Sequence, residues 1–166
     1  MPKIILDGSV VEDSWNVVRE DAPSALAELG EANTLVPLDC WNALQAESDK
    51  MPANVGVWIA STELPDQIEG DLQSIPVIGV DFPAFADGRG FSIGRLLRQR
   101  FQYTGQIRAI GSPIRDQLSY LVRCGFNAFQ LAEHYDPEQA LASLKDFSDA
   151  YQGAVDEPVP LFRRRG

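Results

Sequence analysis

A chain of 166 residues with 45% apolar side chains is long enough to enclose a core of its own. Its net charge of −10 and pI near 4.5 oppose nucleic-acid binding, which needs a basic face, and disfavour anionic membranes as partners. The longest apolar runs fall short of the ~20 residues that a membrane helix needs.

Residues 4–15 read as a hairpin turning at Asp7-Gly8, because both central positions of an Asp-Gly turn tolerate positive φ. A short helix is expected from Pro23-Ser24. Residues 1–33 are taken as a peripheral hairpin and linker of a single α/β domain spanning 1–166. Strands are then predicted at 34–38, 55–60, 75–80, 107–110 and 126–131. Helices are predicted at 39–48, weakly at 64–72, and at 92–101. The next helix opens with Ser112 as N-cap and Pro113 at its first position, carries Ile114, Leu118, Leu121 and Val122 on one face, and stops at Gly125. Asp136 caps the last helix, Pro137 opens it and Gln139 stands at the capping-box spacing; Leu141, Leu144, Phe147 and Tyr151 form its stripe. Residues 159–166 read as a docked strand or a frayed end. About five mostly parallel strands alternating with helices make an open sheet or a half-barrel, one that a homodimer could close.

Charge is unevenly spread. Residues 1–80 hold 3 basic and 14 acidic side chains, whereas residues 81–132 hold 7 and 3, and all seven of those cations are Arg. Planar guanidinium forks suit carboxylate, phosphate or sulfur oxyanions. Ligands of parallel α/β folds bind at the carboxyl ends of the strands. That edge would collect Ser61, Thr62 and Glu63, then residues 81–94, then Gly111, Ser112 and Arg115, and finally Glu133 and His134. An anion-binding cleft built from Arg89, Gly90, Ser92, Arg95, Ser112 and Arg115 is therefore expected, helped by helix starts near Ser92 and Ser112. Asp81 and His134 are the candidates for proton handling. The plainer readings are that Arg89 braces the loop against Asp81 or Asp87, and that Ser112 only caps. His134 is then structural, and Arg95 and Arg98 are solvated helix residues. Phe82, Phe85 and Phe91 would wall the loop, and Trp15, Trp41 and Trp58 belong to a core or interface.

The GxGxxxG run from Gly88 through Gly90 to Gly94 invites a dinucleotide reading but departs by one residue from the GxGxxG fingerprint, and no acidic residue ends the next strand. Asp81, Asp87, Glu133 and His134 could meet a divalent ion only beside repelling arginines, so no metal site is assigned. Cys40 and Cys124 form no CxxC pair. With no signal peptide before them, free thiols in a reducing cytoplasm are expected.

The stretch DFPAFADGRGFSIGRLLRQRF, continuing through GQIRAIGSPIRDQLSYLVRCGFNAF, resembles a bacterial family called domain of unknown function 934. Asp81, Phe82, Pro83, Asp87, Gly88, Arg89, Gly90 and Ser92 match its motif. The family's genes typically neighbour those of assimilatory sulfite reductase and phosphoadenylyl-sulfate reductase, so the resemblance implies a place in sulfite reduction and cysteine biosynthesis. It brings no established active site. Two roles follow. One is an accessory protein that docks sulfite reductase or its electron donor through an arginine-lined edge, delivering or sensing sulfite, sulfate or a similar anion such as phosphate. The other is an enzyme, an oxidoreductase by the family's usual label, acting on a small anion that Arg89 and Arg115 clamp. Sulfite reduction takes six electrons, and no flavin, iron–sulfur or haem motif is evident to carry them, which favours the accessory role.

Overall fold

The computed structural model describes residues 2–19, 29–83, 88–113, 115–144 and 154–159. Lys3–Leu6 (β1) and Ser9–Glu12 (β2) form the hairpin; Asp7 at φ 48° and Gly8 at φ 76° make the primed turn that the Asp-Gly pair favours. Trp15–Val17 (β3), Asn33–Pro37 (β4), Val55–Ile59 (β5), Val77–Phe82 (β6), Gln106–Gly111 (β7) and Ala128–Phe129 (β8) follow. The helices are Leu38–Glu47 (α1), Arg89–Arg95 (α2), Leu118–Arg123 (α3) and Pro137–Ser143 (α4).

All eight strands join one mixed sheet in the order β2-β1-β8-β7-β6-β5-β4-β3. From β3 to β8 each strand lies parallel beside its predecessor in the chain. A succession without reversal has no topological switch point, and right-handed crossovers place its helices on one face. The N-terminal residues are not peripheral: β1 pairs antiparallel with β8, and β3 forms the opposite edge.

That arrangement forces the sheet to curl. β2 and β3 lie at opposite edges, yet only Asp13 and Ser14 separate them in the chain. Three Cα–Cα steps span at most about 11 Å, so the two edges converge there. Pairing carries the level of Ser9 through Leu6, Ala128, Arg108, Gly79 and Trp58 to Pro37, two residues past Leu35, the partner of Val17. The chain thus climbs as it passes from edge to edge, the stagger a closing barrel requires. The sheet is a curled, open half-barrel whose edges approach each other at the Asp13–Ser14 link.

Alternation assigns the two faces. Val57, Ile59, Ile78, Val80, Ile107, Ala109 and Phe129 turn outward and bury themselves with Trp41, Leu44, Ile93, Leu97, Leu118 and Leu121 of the helical layer. Leu35, Gly56, Trp58, Gly79, Arg108 and Ile110 occupy the inner face; a Cβ on Gly79 would meet Trp58 Cβ at 2.9 Å and Ile110 at 3.5 Å.

Several local expectations are corrected. Residues 64–72 form no helix: Gly70 at φ 92° interrupts the run, leaving single 3₁₀ turns at Pro65–Gln67 and Leu72–Ser74. The helix expected at 92–101 starts at Arg89 and passes into a π-helical turn, Leu96–Arg100. α3 begins at Leu118 behind a 3₁₀ turn, Arg115–Gln117, so Ser112 is not its cap. Gly125, at φ 101°, follows its end as expected. Asp136 caps α4 by accepting from the Glu138 N–H rather than through Gln139. Lys3 donates to Glu138 at 2.8 Å, joining β1 to α4 and holding the Glu138 carboxyl down to about 2. Pro23-Ser24, Ile114, Phe147, Tyr151 and residues 160–166 lie outside the described residues. Among the described residues no helix is long and apolar enough to cross a membrane.

Candidate functional site

β6 and β7 run in register to their ends, Asp81 opposite Ile110 and Phe82 opposite Gly111. The Ser112 N–H donates to the Phe82 carbonyl at 2.8 Å, which fastens the loop after β7 to the start of the loop after β6. Gly111 can make this turn because it sits at φ 88°, where a Cβ would lie 2.6 Å from both Asp81 Oδ1 and the Phe82 oxygen. Two arginine-bearing segments are thereby anchored side by side at the carboxyl edge, with Arg89, Ser112 and Arg115 all exposed.

Other candidates are placed differently. Asp81 accepts a charged hydrogen bond from Arg19 at 2.6 Å, and the Arg19 guanidinium lies 5.3 Å from the Trp58 ring. Arg19 follows β3, so this pair spans the inner face from the far edge of the sheet to β6. The plainer reading paired Arg89 with Asp81 or Asp87; Asp87 lies outside the described residues, and Asp81 pairs with Arg19. Phe82 is buried beneath Phe91 and Phe126 at centroid distances of 5.3 and 5.7 Å, while Pro83 is exposed at the edge. Phe85 and Asp87 lie outside the described residues. Ser92 is exposed within α2 rather than at its start. Arg95 turns toward α3, where it lies 5.9 Å from the Tyr120 ring and hydrogen-bonds Cys124. Burial pushes the Cys124 thiol up, against the lowering effect of Arg95. His134 is exposed against Tyr135, with ring centroids 4.1 Å apart. Cys40 and Cys124 are buried and form no disulfide.

The glycine run has a packing explanation. Gly90 and Gly94 are one helical turn apart on the buried side of α2. A Cβ on Gly90 would fall 2.6 Å from the Phe82 ring, and one on Gly94 would fall 2.4 Å from the Phe126 ring and 2.9 Å from the Cys124 oxygen. These glycines let the helix lie directly on the aromatic layer, a role that requires no nucleotide. Gly94→Ala is expected to destabilise by about 1–3 kcal/mol through overpacking. Gly88→Ala, where the nearest contact of an added Cβ is 3.9 Å away, should be nearly neutral when both variants are compared by urea titration.

Sequence reasoning missed a polar group inside the curl. Arg108 is 0% exposed at the centre of β7 and ion-pairs with Asp13, itself 5% exposed, from the two-residue link between β2 and β3. Arg108 also escaped notice among the seven arginines of its segment, although a cation at an alternating position of the apolar run QIRAIG was a usable signal. Asp13 and Arg19 gave none, because their partners lie across the sheet. Among the described residues no three His, Cys, Asp or Glu side chains gather as a metal site would require.

A family model matches residues 56–162, that of a bacterial protein of unknown function, DUF934. No curated protein and no solved structure matches the chain.

Proposed function

The chain belongs to the bacterial DUF934 family, and from that premise we propose that it is a cytoplasmic accessory protein of assimilatory sulfite reduction. It docks sulfite reductase or its electron donor at the carboxyl edge of its sheet, where exposed arginines receive a small anion such as sulfite, sulfate or phosphate. The pathway comes from the resemblance. The observation that supports docking is the Phe82–Ser112 backbone bond, which fastens together the starts of the two segments that carry the exposed Arg89 and Arg115. An open surface of cations serves recognition of an anionic partner or ligand. Proton transfer asks for a poised group in a sheltered site. Asp81 is instead held by Arg19, and His134 stands in solvent beside Tyr135. The acidic first 80 residues add steering toward a basic partner face, an effect that weakens as salt rises.

Capture of purified sulfite reductase by the immobilised full chain tests the docking, with calorimetry of sulfite, sulfate and phosphate alongside. Arg89→Ala combined with Arg115→Ala is expected to weaken capture roughly tenfold or more at low salt, with a smaller difference at high salt. Turnover of a small anion by the chain alone would instead establish the enzymatic reading. Unchanged capture, anion binding and growth on sulfate in the double variant would remove the edge from consideration.

A further inference from the structure

The inner face of the curled sheet carries polar side chains that the edge reading leaves unused. Gln106 and Arg108 alternate along β7 and so share this face. Ala128 of β8 pairs with Arg108, which puts Gln130 on the same face two residues further on. The guanidinium is fully enclosed, yet its Nε and Nη1 have no hydrogen-bond partner among the described residues. Its Nη2 meets the Asp13 carboxylate as an ion pair by proximity rather than as an aligned hydrogen bond. Gln106 Nε2 and Gln130 Oε1 are likewise buried without a partner. Arg108's ladder neighbours are Gly79 and Ala128, neither of which has a side-chain acceptor to offer the guanidinium.

Buried polar groups are ordinarily bonded, and orphaned ones point to an occupant. The unmatched groups have a definite character: N–H donors from Arg108 and Gln106, against a single acceptor at Gln130. An occupant rich in lone pairs satisfies such a set. We propose that the inner face, between Gln106, Arg108 and Gln130, binds a small oxyanion, separately from the arginine-bearing edge. The guanidinium supplies charge and Gln106 supplies further donors; the Gln130 carbonyl suits an anion that keeps one proton, as bisulfite, bicarbonate and hydrogen phosphate do. Asp13 orients the guanidinium from its Nη2 side.

The test is titration of the full chain with sulfite, sulfate, bicarbonate and inorganic phosphate at constant ionic strength, read by calorimetry and thermal shift. With the edge removed by Arg89→Ala and Arg115→Ala, one of these anions is expected to saturate a single site. Gln106→Leu with Gln130→Leu, which keeps the Asp13–Arg108 pair and hence the fold, should weaken that binding at least tenfold. Gln106→Leu alone should weaken it less. Arg89→Ala with Arg115→Ala should leave this site intact, so failure here and failure of the edge are separable. No saturable binding by the natural chain overturns the proposal. So does binding that survives when the glutamine substitutions are made in the Arg89→Ala/Arg115→Ala background, or a rise in melting temperature there without loss of anion affinity, which would mean that the cluster holds water only.

Discussion

Asp13→Ala is expected to destabilise the protein by about 3–5 kcal/mol, the range for removing one partner of a buried ion pair. Arg108 is 0% exposed, and the substitution leaves its charge enclosed with no other ion-pair partner among the described residues. The Trp15 N–H also loses its acceptor, Asp13 Oδ1, at 3.0 Å. Both losses fall on the two-residue link where the sheet's edges converge, so the closure of the curl and the burial of the charge fail together. Asp13→Ala combined with Arg108→Met should recover most of the loss, because the methionine is apolar and of similar reach. A double-mutant cycle in urea isolates the pair from the rest of the link. If Asp13→Ala lowers stability by less than about 1 kcal/mol, the guanidinium has another partner and the enclosed-charge account is wrong.

Local chemistry was readable in the chain wherever neighbours in sequence decide it. The Asp7-Gly8 turn, the apolar runs of β5 and β6 and the Asp136-Pro137 helix start all act within a few residues. The family resemblance at residues 81–129 agreed with the matched family model. What stayed hidden depends on how strands are ordered. β3 is only three residues long and carries no pattern of its own; it is a strand because Asn33–Pro37 lies beside it. Assigned to a peripheral hairpin and linker, it concealed two ion pairs at the inner face, Asp13 to Arg108 and Arg19 to Asp81. The same blindness affected the glycines. Their spacing resembles a phosphate loop, and only the positions of Phe82 and Phe126 reveal that they serve helix–sheet contact. Of the candidate site, the edge could be located from strand–helix alternation, whereas the direction of each side chain could not. Arg89 and Arg115 are exposed there, Arg95 turns to α3, and Asp81 turns to Arg19.

Arg98→Ala is expected to cost about 3–4 kcal/mol, from the loss of charge-assisted hydrogen bonds whose acceptors are left without donors. On sequence alone this arginine reads as an ordinary solvated helix residue, one turn from Arg95. In the structure it is half-buried and clamps the amino-terminal end of the sheet. Its Nε donates to the Gly125 carbonyl at 3.0 Å, and its Nη1 donates to Tyr103 and Gly105 carbonyls at 2.6 and 2.8 Å. Nη2 reaches Asn127 Oδ1 at 3.3 Å, the same oxygen that accepts from the Ile107 N–H at 2.8 Å. Burial lowers the Arg98 pKa, yet a guanidinium remains charged there at neutral pH. A lysine offers one charged nitrogen and cannot address divergent carbonyls with a planar fork, so Arg98→Lys should recover only part of the loss. Arg100→Ala is the control: its side chain is exposed and its removal should stay within about 0.5 kcal/mol. Because the clamp lies at the end of the strands opposite Asp81 and Ser112, its loss should lower the urea midpoint without changing anion affinity per folded molecule. Equal urea midpoints for Arg98→Ala and Arg100→Ala would show that the carbonyls find other donors. A fall in anion affinity at unchanged stability would move Arg98 from the scaffold to the site.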